Sequence, residues 1–220
     1  MKKENSKNSN FKSPKYLPVI SLIAVTSFVL LLTILHFIEP EFEPTKHLIS
    51  EYELGQFGWL MFLAFFSLAI GVFSTVLSTW SFIKTKGSFI GRWFFIIISI
   101  ALVGAGIFYP YVVPNTASKI HTLCGVTVIF IFPIAALLYN KGLKRNHSWI
   151  DSKKTTSIAT WIVWIGFLGF FGSLIIFHPE SGSDKTGLVV GLQNRFMMFT
   201  YSLWLFIIAL KTLQIENREK

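Results

Sequence analysis

The residues able to do chemistry are few and lie close together. The stretch TKHLISEYELGQFGW, residues 45–59, brings His47, Ser50, Glu51 and Glu53 together just ahead of a long apolar run. His121 opens a later apolar run in KIHTLCG, and Asn194 and Arg195 stand near the start of the last one in GLQNRF. Three kinds of chemistry fit these types. Imidazole and carboxylate groups hold zinc with an open position for water. His47 and Glu51, four apart, share a helix face, although no H-E-x-x-H or comparable spacing accompanies them. An arginine, Lys119 and histidines supply donors for a lipid head group or another small anion. The third reading is structural: polar loops in water plus one buried Arg–carboxylate pair. No Ser-His-Asp arrangement can be assembled from the order of these residues.

The serine and its neighbours have a competing local role. Ser50-Glu51-Tyr52-Glu53 is S-x-x-E before an apolar run, the pattern of a capping box, with Ile49 and Leu54 at the two staple positions. Ser50 is therefore expected to cap the second span, with Glu53 serving the helix terminus and Glu51 favouring the positive end of the helix dipole. His121 has a different setting. On a helix it aligns with Cys124 and Gly125, a small, weakly polar patch that Val128 ends one turn later, and Ser118 precedes it as a face partner or cap. A patch of that kind is expected to face other helices rather than lipid.

These groups need elements to carry them, and composition says what those are. The chain has 220 residues, 52% hydrophobic and only 14% charged, with mean hydropathy +0.57. A soluble domain carries roughly a quarter charged residues. Six apolar runs approach the ~20 residues needed to cross a hydrocarbon core: about 17–38, 58–83, 93–109, 120–139, 158–177 and 188–210. The expected fold is all-α, a bundle of six transmembrane helices between a basic tail at 1–16 and a tail at 212–220. The first run is longer than a signal-peptide core and no A-x-A-like site follows it, so it reads as an uncleaved span. The single cysteine, Cys124, permits no intrachain disulfide.

Orientation follows from Lys and Arg. All but Lys46, Lys119, Lys185 and Arg195 fall in the N-terminal tail, the 84–92 loop, the 141–154 loop or the C-terminal end. Both termini are thus expected on the cytoplasmic side of the plasma membrane. The net charge of +9 then reads as a positive-inside signature facing anionic lipid, with no nucleic-acid partner. Tyr16, Trp80, Trp93 and Tyr139 fall at inner helix ends, and Trp59, Tyr109 and Tyr111 at outer ends, as an aromatic belt requires. Four histidines (His36, His47, His121, His178) and the carboxylates Glu39, Glu41, Glu43, Glu51, Glu53, Glu180 and Asp184 fall on the outer side. Arg195 lies about 10 Å into its span at 1.5 Å per residue. Such an arginine costs roughly 2.5–3.5 kcal/mol unless paired, so it is expected to point inward at a carboxylate or a bound anion. Small residues at Ser67, Gly71 and Thr75, at Gly104 and Gly106, and at Gly166, Gly169 and Gly172 mark helix contacts. Pro133 predicts a bend in the fourth span.

The segments HLISEYELG, FYP, KIHTLCG and GLQNRF, in this order, resemble the membrane family known as "domain of unknown function 998", over about residues 17–210. Family members look like H-x-x-S-x-x-G in the first loop, F-P-x-D after the third span, a histidine opening the fourth and an E-R pair opening the sixth. The resemblance implies a six-span fold and carries over to His47, Ser50, His121 and Arg195. Three positions depart from it: Glu53 stands where the glycine would, with Gly55 two later; Tyr111 and Val112 follow Pro110, without the aspartate; and Asn194 replaces the glutamate.

The expected function is an integral membrane protein whose outer-leaflet polar pocket binds a lipid head group or small anionic ligand through His47, Ser50, Glu51, His121, Asn194 and Arg195. No cofactor or resident metal is called for, membrane lipids are the expected partners, and the oligomeric state is left open. A membrane-embedded hydrolase is the alternative, with His121 as base or ligand and Ser50 or a metal-bound water as nucleophile. An accessory subunit without a small-molecule site is the third reading.

Overall fold

The computed structural model describes residues 14–110, 115–176 and 189–218. Six α-helices run in sequence: α1 (Tyr16–Ile38), α2 (Gly58–Ser78), α3 (Lys86–Ile107), α4 (Thr116–Leu143), α5 (Lys153–Ile176) and α6 (Val190–Arg218). Short 3-10 turns at Ile49–Leu54, Trp80–Phe82 and His147–Ser152 stand between them. Six helices are long and apolar enough to cross a membrane, so the protein is a membrane protein of the expected all-α class. Each helix packs on its chain neighbours, α6 returns to α1, and α2 also touches α6. The bundle is a closed ring.

Close approach at small residues holds the ring, because helices in lipid associate by packing rather than by hiding from water. Ser21 donates to the Gly71 carbonyl at 2.9 Å and stands 2.7 Å from the Thr75 hydroxyl. A side chain on Gly71 would meet Val25 at 2.7 Å, so two residues of the expected Ser67/Gly71/Thr75 ladder seat α1 on α2. A methyl on Gly166 would meet the Met197 backbone at 3.1 Å, whereas one on Gly172 would meet nothing within 4 Å. Phe95, Phe132, Tyr139, Tyr201 and Trp204 fill the centre, with Tyr201 stacked on Phe132 at 4.1 Å. The outward faces are apolar; Ile100, Leu123, Trp161 and Ile165 are among the exposed residues. That inversion suits a lipid solvent.

Several boundaries differ from expectation, each for a local reason. The Thr85 hydroxyl accepts from the Ser88 amide and the Thr85 carbonyl accepts from the Ser88 hydroxyl, a cap that starts α3 at Lys86 rather than near 93. Arg92, expected in a loop, is inside α3 and buried; it donates to the Trp80 and Ile83 carbonyls and stacks on the Trp80 ring at 3.7 Å. Tyr139, expected in the aromatic belt, is fully buried against the Thr79 hydroxyl. Residues 212–218, expected as a tail, continue α6. Asn115 and Ser118 exchange side-chain bonds with each other's amides, at 2.9 Å each, to cap α4. Ser118 therefore caps the helix that carries His121.

Candidate functional site

The segment between α1 and α2 folds back over the bundle end, and its polar groups decide how. Glu51, at the third position of the 49–54 turn, accepts the Leu48 amide at 3.1 Å and lies 2.5 Å from His47 Nδ1. Glu39, just beyond α1, accepts the Phe57 amide and so supplies an acceptor where α2 begins. Gly55 makes room for it: a methyl there would overlap the Glu39 carboxylate. With both termini served by other carboxylates, Ser50 is not the cap of the second span and Glu53 is not its capping-box partner. The expected register is corrected: Leu48 and Phe57 occupy the N-cap positions.

Glu53 is released to the interior. It is 4% exposed, and neither carboxyl oxygen has a hydrogen-bond partner. Burial alone pushes its acid up to about 9, so at neutral pH it is an uncharged acid. His121 Nδ1 lies 3.5 Å from it, too far for a hydrogen bond. That nitrogen donates instead to the carbonyls of Ala105 and Phe108, at 2.9 and 2.8 Å. Carbonyls only accept, so the proton sits on Nδ1 and Nε2 is left as an acceptor.

Arg195 points inward as expected but meets no carboxylate. Its Nε donates to His36 Nε2 at 2.7 Å, Nη1 to the carbonyls of Pro44 (3.0 Å), His47 and Gly191 (3.1 Å), and Nη2 to the Tyr52 hydroxyl at 3.1 Å. His36 Nδ1 in turn bonds the Leu32 carbonyl at 2.6 Å, which leaves its Nε2 free to accept. The charge is spread over five neutral acceptors, a planar fork serving bent backbone. Asn194 accepts the Ile49 amide at 3.2 Å, and the Gly191 amide donates to the Thr45 carbonyl at 3.0 Å. The first loop is thus clamped onto the start of α6.

Gly191 is required by that contact. A methyl group would stand 2.5 Å from the His47 carbonyl and 2.6 Å from that of Pro44. Gly191→Ala is therefore expected to lose about 1–3 kcal/mol and to open the 39–57 segment to protease, while Gly172→Ala does neither. Thermal unfolding in detergent with limited proteolysis checks both.

Beneath the clamp lies a cavity of about 450 Å3, inside the ~300–1,000 Å3 range of ligand pockets. Its walls are largely apolar, from Phe65, Leu102, Val128, Ile129 and Met198; Ser50, Glu51, His121, Thr122 and Asn194 supply the polar groups. Tyr201 donates to the Ile129 carbonyl at 2.8 Å and stacks on Phe132, one turn deeper on α6 and α4. Leu54, Thr122 and Val126 line the cavity while themselves exposed, so it reaches the surface.

All four ordered segments singled out in the sequence therefore meet at one end of the bundle. The family model described as "Protein of unknown function (DUF998)" matches residues 22–211. The chain belongs to that family. No curated protein and no solved structure matches it. In this DUF998 chain the motif contacts are specific: HLISEYELG rests on GLQNRF through Asn194 and Arg195, and FYP presents the Phe108 carbonyl to His121.

The six candidate residues divide. Ser50, Glu51, His121 and Asn194 line the cavity. His47 is held beside it through Glu51, and its carbonyl, not its ring, meets Arg195. Arg195 is 8% exposed, and each of its guanidinium nitrogens bonds protein. Among the described residues no three His, Cys, Asp or Glu side chains gather as a metal-holding group. His178, Glu180 and Asp184, and the family departure at Tyr111 and Val112, lie outside the described residues. Tyr52, Gly191 and the burial of Glu53 escaped sequence reasoning. Gly191 had one signal: it stands a single helical turn before Arg195.

Proposed function

We propose that this DUF998 protein is a lipid-binding protein of the plasma membrane, with the clamped end of the bundle facing outward and both termini in the cytoplasm. The Lys/Arg bias supports that orientation. The cavity would hold one amphiphile, its apolar part along Phe65, Leu102 and Met198 and its polar end beside Ser50, His121 and Asn194. The single observation that carries the reading is that a few polar residues, Ser50, Glu51, His121, Thr122 and Asn194, share with a majority of apolar ones the wall of one cavity of about 450 Å3. That volume suits one chain with a small head rather than a whole two-chain lipid.

Gly125 offers the test. It lines the cavity, and a methyl group there would meet nothing within 4 Å. Gly125→Phe is expected to fill the space without displacing a neighbour. Native mass spectrometry of wild type should show a co-purified lipid that Gly125→Phe lacks, at unchanged unfolding temperature. The same adduct on both proteins, or none on wild type after gentle extraction, would remove the proposal.

A further inference from the structure

We infer that the cavity selects an amphiphile with an uncharged, hydroxyl-bearing head, the hydroxyl donating to His121 Nε2 and accepting from the Asn194 amide. The inference rests on the lipid-binding reading and narrows it to a class of head group.

The unused hydrogen-bonding capacity of the wall carries the argument. His121 is 6% exposed and lines the cavity, and its Nδ1 proton is committed to the Ala105 and Phe108 carbonyls. Among the described residues Nε2 has no protein partner, and it is not sealed from the cavity, so it is an acceptor open to whatever fills that space. Asn194 is also buried. Its Oδ1 accepts from the Ile49 amide, which fixes the amide's orientation and leaves the NH2 group as donor without a partner among the described residues. Ser50 adds a hydroxyl with no bond to protein among the described residues. An acceptor and a donor facing one space are both met by a hydroxyl, which is donor and acceptor at once.

Charge on the wall excludes the other heads. Glu51 is the charged group there, already engaged by His47 and the Leu48 amide. No Lys or Arg is among the described lining residues, and all three guanidinium nitrogens of Arg195 are taken. A phosphate or carboxylate head would face the Glu51 charge without a counter-ion. An ammonium head offers no lone pair to the Asn194 amide. The buried acid of Glu53 adds no charge at neutral pH.

The experiment titrates delipidated wild-type protein, followed by native mass spectrometry, with three ligands sharing one acyl chain: a monoacylglycerol, the fatty-acid methyl ester and lysophosphatidic acid. The monoacylglycerol is expected to bind about tenfold tighter than either of the others, the scale of a hydrogen bond or two. His121→Asn keeps a donor near the Nδ1 position and removes the Nε2 acceptor, so it should erase the preference over the methyl ester. Should that variant not fold, the three-ligand series on wild type and on Ser50→Ala decides alone. Equal binding of all three ligands, or tighter lysophosphatidic acid, with loss of binding in Gly125→Phe, overturns the head-group class and leaves the lipid pocket standing. No binding of any of the three, with the same result in Gly125→Phe, overturns both.

Discussion

Arg195→Ala is expected to cost on the order of 3–5 kcal/mol. Removing the guanidinium strands the carbonyls of Pro44, His47 and Gly191, the Tyr52 hydroxyl and His36 Nε2 in the interior. For a chain of this length each kcal/mol moves the unfolding midpoint by about 2–4 °C, so a fall of roughly 10 °C or more should appear in detergent. Arg195→Lys should recover little, because an ammonium cannot replace a planar fork that reaches three separate segments. The loop should loosen before the bundle melts, so protease should cut within 39–57 at temperatures where α2 to α5 remain intact. A lysine variant as stable as wild type would show that charge alone, and not the fork, seats the loop.

The second large effect concerns Glu53. Its acid is raised by burial to about 9, against an ordinary value of 4.5. A group whose folded value is raised contributes fully below the unfolded value and loses its contribution as pH climbs toward the folded one. Between about pH 4.5 and 9 the unfolded chain releases this proton while the folded chain keeps it. Stability should therefore fall with rising pH, by about 1.4 kcal/mol per unit from this group alone. Glu53→Gln, the same shape without a proton to lose, is expected to flatten that part of the profile and to be more stable than wild type at pH 8. Unfolding midpoints at pH 5, 6.5 and 8 read this directly. Parallel profiles for the two proteins would mean that Glu53 is ionised in the fold and balanced by a partner.

These two residues also show how far the sequence could be read. The six spans were legible because apolar length is a one-dimensional property, and the family resemblance was legible because its motifs keep their order. The inward pointing of Arg195 followed from the cost of an arginine in a span. Its partners did not follow, because backbone carbonyls of a loop carry no signature in side-chain types. Ser50-x-x-Glu53 misled for a related reason. S-x-x-E is a local pattern, yet Glu39 reached the second helix from the end of the first, and Glu51 took the capping role one turn earlier. Glu53 was then free to turn inward beside His121. The cavity itself was out of reach from sequence, since it depends on how far α4 and α6 part above the Tyr201–Phe132 stack.

The central claim is that the space between Ser50, His121 and Asn194 belongs to a ligand. A high-resolution density map of the protein extracted with its native lipids tests this most directly. Continuous, chain-like density running from His121 Nε2 past Leu102 toward Met198 is the result the account predicts. Separate water peaks, or a collapsed space with His121 Nε2 bonded to protein, would contradict it.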